Sequence, residues 1–427
     1  AAGELTSLTF GNGANTSFSY DPETLRLTDL VTAKSPTTFQ NLHYAYDDVG
    51  NILQIVDNVR SETTNYGYDD LNRLLSASIT GVYSRSWTYN QIGNMSTRND
   101  TGTQITYTYD ANHKHAVAQT GTQYFCYDAN GNMTKHNASN STCTSGGDTM
   151  SYDIENRLTS MTVGSTTTTF DYNGDGTRVK RAVAGSETVY SIGNYYEVHV
   201  STGTTINKYY YFGSRRIASN IAGTLFYLQA DHLGSSAIVM TTSGTLWTRQ
   251  TYYPFGAKRT TEGTALPTDY TFTGQKSDDA TGLMFYGARY YDTTLGRFTQ
   301  PDTLIPGAFN PQALNRFSYV LNNPVGLVDP SGHAPQFPGD DPNNSDPCGN
   351  DWCWQNRWYE AHGLHWADKK GGWLAGGIRI SSMKASWMRL SVRLELRLSP
   401  LQPPNKRNLS HEGFLCWDGH FPVASQH

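Results

Sequence analysis

A tyrosine followed by aspartate or asparagine recurs about every twenty residues through the first 180 positions of this chain. The tyrosines of these pairs, termed anchors here, are Tyr20, Tyr46, Tyr68, Tyr89, Tyr109, Tyr127, Tyr152 and Tyr172. A unit this short cannot bury a core of its own, so neighbouring units must stack to form one continuous surface. The period therefore predicts a repeat architecture.

Each unit is predicted to be a β-hairpin. Apolar and polar residues alternate before the anchors, as in Phe18-Ser19-Tyr20 and Tyr44-Ala45-Tyr46, which is the period of a half-buried strand. The Asp or Asn after the anchor can bond to the backbone two residues on, and glycines such as Gly50 and Gly93 permit a tight turn. Only 16% of the residues are charged, while the chain holds 28 Tyr and 40 Gly. This composition is typical of sheets and turns.

Charge and hydropathy exclude two classes of partner. The formal net charge of −5 gives no general attraction to nucleic acid or anionic lipid, so we expect no nucleic acid on the hairpins. No apolar stretch approaches the ~18 residues of a membrane helix, so no membrane span is predicted.

Cys126 and Cys143 flank an insertion and could form a disulfide, with unpaired cysteines as the alternative. The chain begins within a repeat and without Met, so further repeats are expected upstream.

From about Tyr209 the period gives way to non-repeating sequence. This segment contains, in order, DHLGS at 231–235, YPFG at 253–256, TGL at 281–283, ARYYD at 288–292 and GRF at 296–298. Together with the repeats, these motifs resemble the Rhs and YD-repeat proteins over roughly residues 10–333. That family includes the cocoon-forming subunits of Tc toxins and, more distantly, the teneurins. It winds its hairpins into a spiralling β-shell whose one end is plugged by the core region.

The resemblance implies a mainly β fold, with YD-repeat hairpins stacked in a spiralling β-sheet shell that the Rhs core closes. We predict a shell over residues 1–205, an Rhs-associated core over 206–333, a linker over 334–351 and a variable tail over 352–427. The tail is expected to be a small α+β or partly disordered module. A long single-layer sheet also has a physical reason to curl, because closure removes edges that would template aggregation.

In many family members the core cuts the chain just after its last motif, and two aspartates are held responsible. The corresponding residues here are Asp302 in GRFTQPD and Asp329 in NPVGLVDPSG, with Arg297 as a candidate orienting charge. Two nearby carboxyls cannot both ionise cheaply, so one could polarise the cleaved carbonyl while the other activates water. The alternative is that both aspartates only cap turns, since Asp-Pro and Pro-Asp pairs are ordinary turn formers.

The position of the cut also follows from the resemblance. The family's cleavage pattern is Pro-x4-Asp-Pro-x-Gly-Leu, and this chain matches it from Pro324 to Gly332. His333 stands where the pattern has leucine. The predicted cleavage site is therefore the bond between His333 and Ala334.

The composition changes abruptly after His333, where a Pro/Asp/Asn-rich stretch leads to a segment rich in tryptophan. Apolar spacing predicts a helix over Gln355–Lys369 and an amphipathic strand over Leu390–Leu398. His362 and His365 could share a metal, but solvated or core histidines are the more ordinary explanation. We therefore predict no metal and no cofactor.

The sequence favours the first of three functions, with the other two as alternatives. The first is a secreted or cell-surface carrier that encapsulates its own C-terminal tail as a toxin and releases it, with a secretion apparatus and an immunity protein as partners. The second is an extracellular adhesion protein that binds carbohydrate or a cell-surface protein. The third is self-assembly by strand addition at the sheet edge.

Overall fold

The computed structural model describes residues 5–305 and 310–338, and the backbone of three short strands beyond them. Twenty-five strands form one sheet, called the wall sheet here. They are β1 Ser7–Thr9, β2 Asn15–Tyr20, β3 Leu27–Lys34, β4 Thr37–Tyr46, β5 Ile52–Asp57, β6 Glu62–Tyr68, β7 Leu74–Ile79, β8 Tyr83–Tyr89, β9 Met95–Asp100, β10 Thr103–Tyr109, β11 Val117–Thr120, β12 Gln123–Tyr127, β13 Met133–Ala138, β14 Asp148–Tyr152, β15 Leu158–Val163, β16 Thr166–Tyr172, β17 Arg178–Val183, β18 Thr188–Ile192, β19 Tyr196–Val200, β20 Thr204–Phe212, β21 Arg215–Ile221, β22 Thr224–Ala230, β23 Ser236–Thr241, β24 Leu246–Tyr252 and β25 Lys258–Gly263.

Each strand of the wall sheet pairs antiparallel with the next one along the chain, from β1 to β25. The predicted stack of hairpins is therefore confirmed. The pairing continues without a break past residue 205, where the sequence predicts the end of the shell. The change in sequence character near that residue is not a boundary of the sheet.

Every anchor tyrosine lies at a β-bulge. The register of the strand pair shifts immediately before Tyr68, for example, and the same shift occurs before each of the other seven anchors. A bulge bends its strand and increases the local twist. A bulge repeated in every unit therefore gives the wall sheet a regular curvature.

The residue after the anchor builds the turn, as predicted. Asp69 Oδ1 accepts hydrogen bonds from the backbone N–H groups of Leu71 and Arg73, both at 3.0 Å. The backbone N–H of Asp69 donates to the carbonyl of Arg73, also at 3.0 Å. In six of the eight units the backbone takes a positive φ three residues after the Asp or Asn, for example 60° at Asn72 and 79° at Gly93. Only glycine and asparagine adopt this conformation readily, which explains their place in the repeat.

Most of the eight anchor hydroxyls tie their unit to the one before it. Tyr46 donates to the carbonyl of Leu27 at 2.8 Å, Tyr68 to that of Ile52 at 2.9 Å and Tyr89 to that of Leu74 at 2.8 Å. Tyr109, Tyr127 and Tyr172 make the equivalent bond to Met95, Val117 and Leu158. In each case the acceptor lies at the start of the strand that precedes the anchor's own strand in the chain. The repeat is therefore held together by side chains as well as by the backbone ladder.

Residues 264–305 and 310–338, called the inner segment here, pack against one face of the wall sheet. They contain a small antiparallel sheet of β26 Lys276–Asp278, β27 Leu283–Phe285, β28 Tyr290–Asp292 and β29 Arg297–Phe298, and 3₁₀ helices at Phe272–Gly274, Pro311–Leu314 and Val320–Asn322. Leu283, Tyr290 and Val325 of this segment share one buried cluster with wall residues such as Trp87 and Phe170. The apolar face of the wall is thus covered from within the same chain.

The wall sheet curls until distant strands meet. Phe10, next to β1, makes an edge-to-face contact with Tyr227 of β22 at 6.1 Å between ring centroids. Glu62 of β6 pairs with Arg259 of β25 at 2.5 Å. The first hairpins therefore lie against the last ones, as the predicted curling requires.

Cys126 and Cys143 form a disulfide across the β13–β14 insertion, which decides between the two alternatives left by the sequence.

Beyond residue 338 the structure describes the strands β30 Leu364–Trp366, β31 Trp373–Ala375 and β32 Ile378–Ile380, of which the last two pair antiparallel. The helix predicted over Gln355–Lys369 is wrong at residues 364–366. Gly363 costs about 1 kcal/mol inside a helix and opposes the predicted element at that point. The strand predicted over Leu390–Leu398 and the candidate ligand His362 lie outside the described residues.

Candidate functional site: a buried aspartate pair beside the chain's own backbone

Asp302 and Asp329 are both buried, each with 3% of its surface exposed. Asp302 follows β29, and its backbone N–H donates to the carbonyl of Arg316 at 2.9 Å. Asp329 follows the last 3₁₀ helix, next to Val328, which forms an isolated β-bridge with Gln336. The inner segment therefore brings together two carboxyl groups that are 27 positions apart in the sequence.

One arginine joins the two carboxyls, and it is Arg289. Its Nη2 lies 2.9 Å from Asp302 Oδ2 and 3.3 Å from Asp329 Oδ2. Its Nη1 donates to the carbonyl of Arg316 at 2.8 Å, and its Nε donates to the carbonyl of Gly332. A buried guanidinium needs this number of acceptors to offset its lost hydration. The site thus holds two carboxyls and one fixed positive charge.

Arg297, which the sequence predicts as the orienting charge, binds elsewhere. Its Nη2 donates to Asn315 Oδ1 at 2.7 Å and to the carbonyl of His115 at 3.3 Å, and its guanidinium lies 5.5 Å from the ring centre of Tyr109. The arginine that contacts the two aspartates is therefore Arg289 and not Arg297. Arg297 begins β29 and turns toward the wall sheet, whereas Arg289 precedes β28 and turns toward the aspartates.

Asp329 also folds the backbone around the predicted cleavage site. Its Oδ1 accepts hydrogen bonds from the backbone N–H groups of Gly332 at 2.8 Å, His333 at 3.0 Å and Ala334 at 3.2 Å. Gly332 has a φ of +81°, and a Cβ at this position would lie 2.3 Å from the carbonyl oxygen of Tyr286. The turn therefore requires glycine, and it places the His333–Ala334 bond against one of the two carboxyls.

The side chain of His333 reaches the other carboxyl. Its Nδ1 lies 2.7 Å from Asp302 Oδ1, and 29% of the side chain is exposed. The same Asp302 oxygen accepts the backbone N–H of Leu304 at 2.9 Å. Both aspartates thus contact the residues that flank the predicted bond, and both also cap turns, so the two interpretations of the sequence coexist in the geometry.

Burial raises the pKa of the Asp329 carboxyl above its ordinary value. The positive charge of Arg289 opposes this rise, and the nearby Asp302 carboxylate adds to it. Two carboxyls beside a single guanidinium carry one excess negative charge, which a bound proton relieves. Burial therefore favours the protonated form of the Asp329 carboxyl.

Ion pairs fix the inner segment to the wall sheet. The buried carboxylate of Asp278 on β26 pairs with Arg178 of β17, and Lys276 pairs with Glu197 of β19. Asp292, at the end of β28, lies 2.8 Å from Nε2 of His136. These contacts set the position of β28, which Arg289 directly precedes, so the wall sheet contributes to the geometry of the aspartate site.

Sequence reasoning missed Arg289 and the contact of His333 with Asp302. Arg289 belongs to the ARYYD motif that carries the resemblance, but nothing in that motif indicates which side chain faces Asp302. His333 stands out in the sequence only as a departure from the leucine of the family pattern. That departure is the one signal that could have drawn attention to it.

The fold and the site together define a protein whose hairpin wall encloses a buried aspartate pair set against its own backbone. Proteins of this class are YD-repeat shells. The family model described as teneurin YD-shell matches residues 38–325, and the chain belongs to this family. Among the residues that the structure describes, no helix is long and apolar enough to cross a membrane.

Curated relatives include toxin proteins. The toxin subunit YenC1 of Yersinia entomophaga is 25% identical over 422 residues, which cover 79% of this chain and 42% of that protein. The tRNA nuclease WapA of Bacillus subtilis is 27% identical over 357 residues, covering 78% of this chain and 14% of that protein. The chain thus spans less than half the length of either relative.

Solved structures show the same fold. The Tc holotoxin pore of Photorhabdus luminescens matches with a TM-score of 0.67 and 22% identity, covering 79% of this chain and 19% of the matched chain. At this identity the likeness supports the fold alone. It agrees with the long antiparallel sheet described above.

Proposed function

We propose that this chain is the carrier part of a toxin. In this proposal the wall sheet holds the C-terminal segment of the same chain, and the inner segment cuts that segment free between His333 and Ala334. The observation that carries the proposal is the placement of Asp302 and Asp329. Both are buried, and both contact residues of this one bond. The kinship with toxin proteins supports the same function.

The geometry assigns a role to each carboxyl in the proposed hydrolysis. Asp329 is the proton donor, because burial raises its pKa and its carboxyl lies beside Ala334, whose backbone N–H donates to Asp329 Oδ1 at 3.2 Å before the reaction. Asp302 is assigned as the base, because its Oδ2 contacts Arg289 at 2.9 Å and its Oδ1 contacts His333, the residue that precedes the bond. Both lie within hydrogen-bond reach of the residues that react.

The atoms balance as in ordinary peptide hydrolysis. A water molecule transfers a proton to Asp302 while its oxygen bonds to the carbonyl carbon of His333. The C–N bond then breaks as Ala334 N takes the proton of Asp329. The first products are the carboxylic acid of His333 and the free amine of Ala334. The acid then passes its proton to the Asp329 carboxylate and becomes a carboxylate, while Asp302 returns its proton to solvent. Arg289 stabilises the negative charge of the site through both steps.

The remaining parts of the proposal concern the setting. We propose that the carrier is secreted or displayed at the cell surface, that a delivery apparatus exports it, and that the producing cell holds an immunity protein against the released segment. The Cys126–Cys143 disulfide supports an oxidising location, because such bonds persist mainly outside the reducing cytosol.

Self-cleavage is tested with the purified 427-residue chain. Mass spectrometry and N-terminal sequencing should detect a fragment that begins at Ala334. Asp302→Asn and Asp329→Asn should leave the chain whole, since each removes one of the two proton-transferring groups.

A matched control is Glu62→Gln, which alters another carboxylate paired with an arginine, in a contact that joins β6 to β25 away from the cleaved bond. It should still yield the fragment. If the unaltered chain never produces a fragment beginning at Ala334, self-cleavage is wrong. If Asp302→Asn cuts at the normal rate, cleavage survives and the aspartate mechanism is wrong.

The cargo role is tested by expressing residues 334–427 alone in a bacterial cytoplasm. The proposal expects growth arrest that a neighbouring small open reading frame of the source genome suppresses. A harmless segment, together with glycan-dependent binding by residues 1–333, would instead support the adhesion function.

A further inference from the structure

His333 is the side chain by which this chain departs from the family's cleavage pattern, and it contacts the proposed base. Its Nδ1 lies 2.7 Å from Asp302 Oδ1, while Asp302 Oδ2 lies 2.9 Å from Arg289 Nη2. A leucine could not make this bond. The residue that precedes the proposed cut therefore touches the group that would perform it.

We propose that the protonation state of His333 switches the self-cleavage of this chain: the neutral imidazole permits hydrolysis of the His333–Ala334 bond, and the imidazolium suppresses it. The inference rests on the proposed function, since it concerns the rate of that reaction. His333 acts through Asp302, so it is a positioning and regulating residue rather than a catalytic one.

The suppression follows from the partners of the Asp302 carboxylate. With a protonated ring, one carboxylate oxygen bonds to an imidazolium and the other to a guanidinium. A carboxylate held between two cations is a weaker base, and a weaker base accepts the proton of water less readily. With a neutral ring, one of the two cations is gone and Asp302 regains basicity. Cleavage should therefore speed up as the pH rises.

The other charged groups around His333 do not reproduce this dependence. Arg289 and Arg316 both line the same small cleft, and arginine remains a cation throughout the relevant range. Among the described residues that line this cleft, Asp302 and Asp329 are the other charged groups. Loss of the Asp329 proton at higher pH would slow the reaction, which is opposite in sign to the effect of His333. An increase in rate with pH can thus be separated from the titration of the acid.

The test measures the first-order rate of fragment release between pH 5 and pH 8, with constant ionic strength. Histidine side chains ordinarily change charge within this interval, so the unaltered chain should cut about tenfold faster at pH 7.5 than at pH 5. His333→Asn keeps a neutral hydrogen-bond donor near Asp302 and removes the titration. His333→Leu restores the residue of the family pattern. Both variants should cut at a rate that changes less than about threefold over the interval, and at pH 5 both should be faster than the unaltered chain.

The outcomes are distinct. If both variants keep the tenfold rise with pH, the switch is refuted and self-cleavage stands. If no chain releases a fragment at any pH, the proposed function fails and the switch fails with it. Thermal melts of the three chains verify that each is folded.

A second measurement does not require cleavage. In the uncut Asp329→Asn chain, the ring carbon resonance of His333 is identified as the signal that disappears in Asp329→Asn/His333→Asn. Its titration midpoint should fall by at least half a pH unit when Asp302→Asn is added, because the carboxylate no longer stabilises the imidazolium. An unchanged midpoint would overturn the proposed coupling between His333 and Asp302.

Discussion

The hydroxyl bonds between repeats can be tested on a single strand. Tyr44 and Tyr46 both lie on β4, and phenylalanine at either position keeps the ring and removes only the hydroxyl. Tyr46 donates to the carbonyl of Leu27 in the preceding unit at 2.8 Å. Tyr44 is 2% exposed, and its hydroxyl has no hydrogen-bond partner among the described residues. The two variants therefore separate the value of the hydrogen bond from that of the tyrosine itself.

The expected effects have opposite signs. A buried hydrogen bond contributes about 0.5–1.5 kcal/mol net, and a carbonyl left without its partner costs somewhat more, so Tyr46→Phe should destabilise the fold by about 1–2 kcal/mol. Tyr44→Phe removes a buried, unpaired hydroxyl and should be neutral or stabilise the fold by up to about 2 kcal/mol. With a urea m value of about 3 kcal/mol/M, Tyr46→Phe lowers the unfolding midpoint by roughly 0.3–0.7 M.

Urea unfolding followed by tyrosine fluorescence and hydrogen exchange provides the assay. Exchange should also accelerate near Leu27, since the bond joins neighbouring repeats and repeat proteins open between neighbours. A fall in midpoint that is equal for the two variants would refute the reasoning, because the hydroxyl bond would then add nothing beyond the ring.

Two further predictions concern contacts made by the inner segment. Burial alone would lower the pKa of His136, but the Asp148 and Asp292 carboxylates outweigh it and raise the pKa to about 9. Because the folded pKa lies above the ordinary value of 6.5, the stability that His136 contributes is fully present below about pH 6.5 and is lost as the pH rises through 9. Urea unfolding should show that the free energy of unfolding falls by about 1–3 kcal/mol between pH 6 and pH 10. His136→Asn should remove this dependence on pH. Gly332→Ala should slow self-cleavage at least tenfold, because its Cβ would meet the carbonyl of Tyr286, whereas Gly282→Ala, with a φ of +69° and open space around the added Cβ, should cut normally; equal rates in the two variants would show that the Gly332 turn does not position the bond.

The hairpins could be predicted because their determinants are local. The anchor, the Asp or Asn after it and the glycine or asparagine three residues later each satisfy a condition of the same turn, as Asp69 and Asn72 illustrate. The hydroxyl bonds could not be predicted in the same way. The acceptor of Tyr89 is Leu74 in another unit, and its position depends on a bulge that the alternation pattern does not reveal.

The aspartate site was predictable in part for a similar reason. Asp302 and Asp329 are marked by motifs, but the choice between Arg289 and Arg297 depends on the direction in which each side chain leaves the small inner sheet. Arg297 is closer to Asp302 in the sequence, and yet it turns toward Tyr109 of the wall sheet. Proximity along the chain therefore favoured the wrong arginine. The sequence likewise did not decide whether Cys126 and Cys143 form a disulfide, because this depends on the path of the insertion loop.

The two sides of the proposed cleavage site are held unequally. On the side before the bond, Gln275 Nε2 donates to the carbonyl of Pro330 at 3.0 Å and the backbone N–H of Ala288 donates to that of Ser331 at 3.0 Å, in addition to the bond from Arg289 to Gly332. On the far side, the backbone N–H of Ala334 donates to Asp329 Oδ1 at 3.2 Å, and Gln336 exchanges two backbone hydrogen bonds with Val328, at 2.9 and 2.7 Å. Three such bonds contribute about 1.5–4.5 kcal/mol, which is a modest hold on a free chain end.

Hydrolysis would weaken this hold further. The new carboxylate of His333 would add a negative charge beside Asp302 and Asp329, where Arg289 is the guanidinium that joins both carboxyls. Like charges in a buried site repel, so the cut ends separate more readily than they rejoin. The chain before the cut stays bound to the inner segment, whereas the chain after the cut can dissociate. The excess negative charge of the site thus acts twice: it favours a proton on Asp329 before the reaction, and it favours separation of the products afterwards.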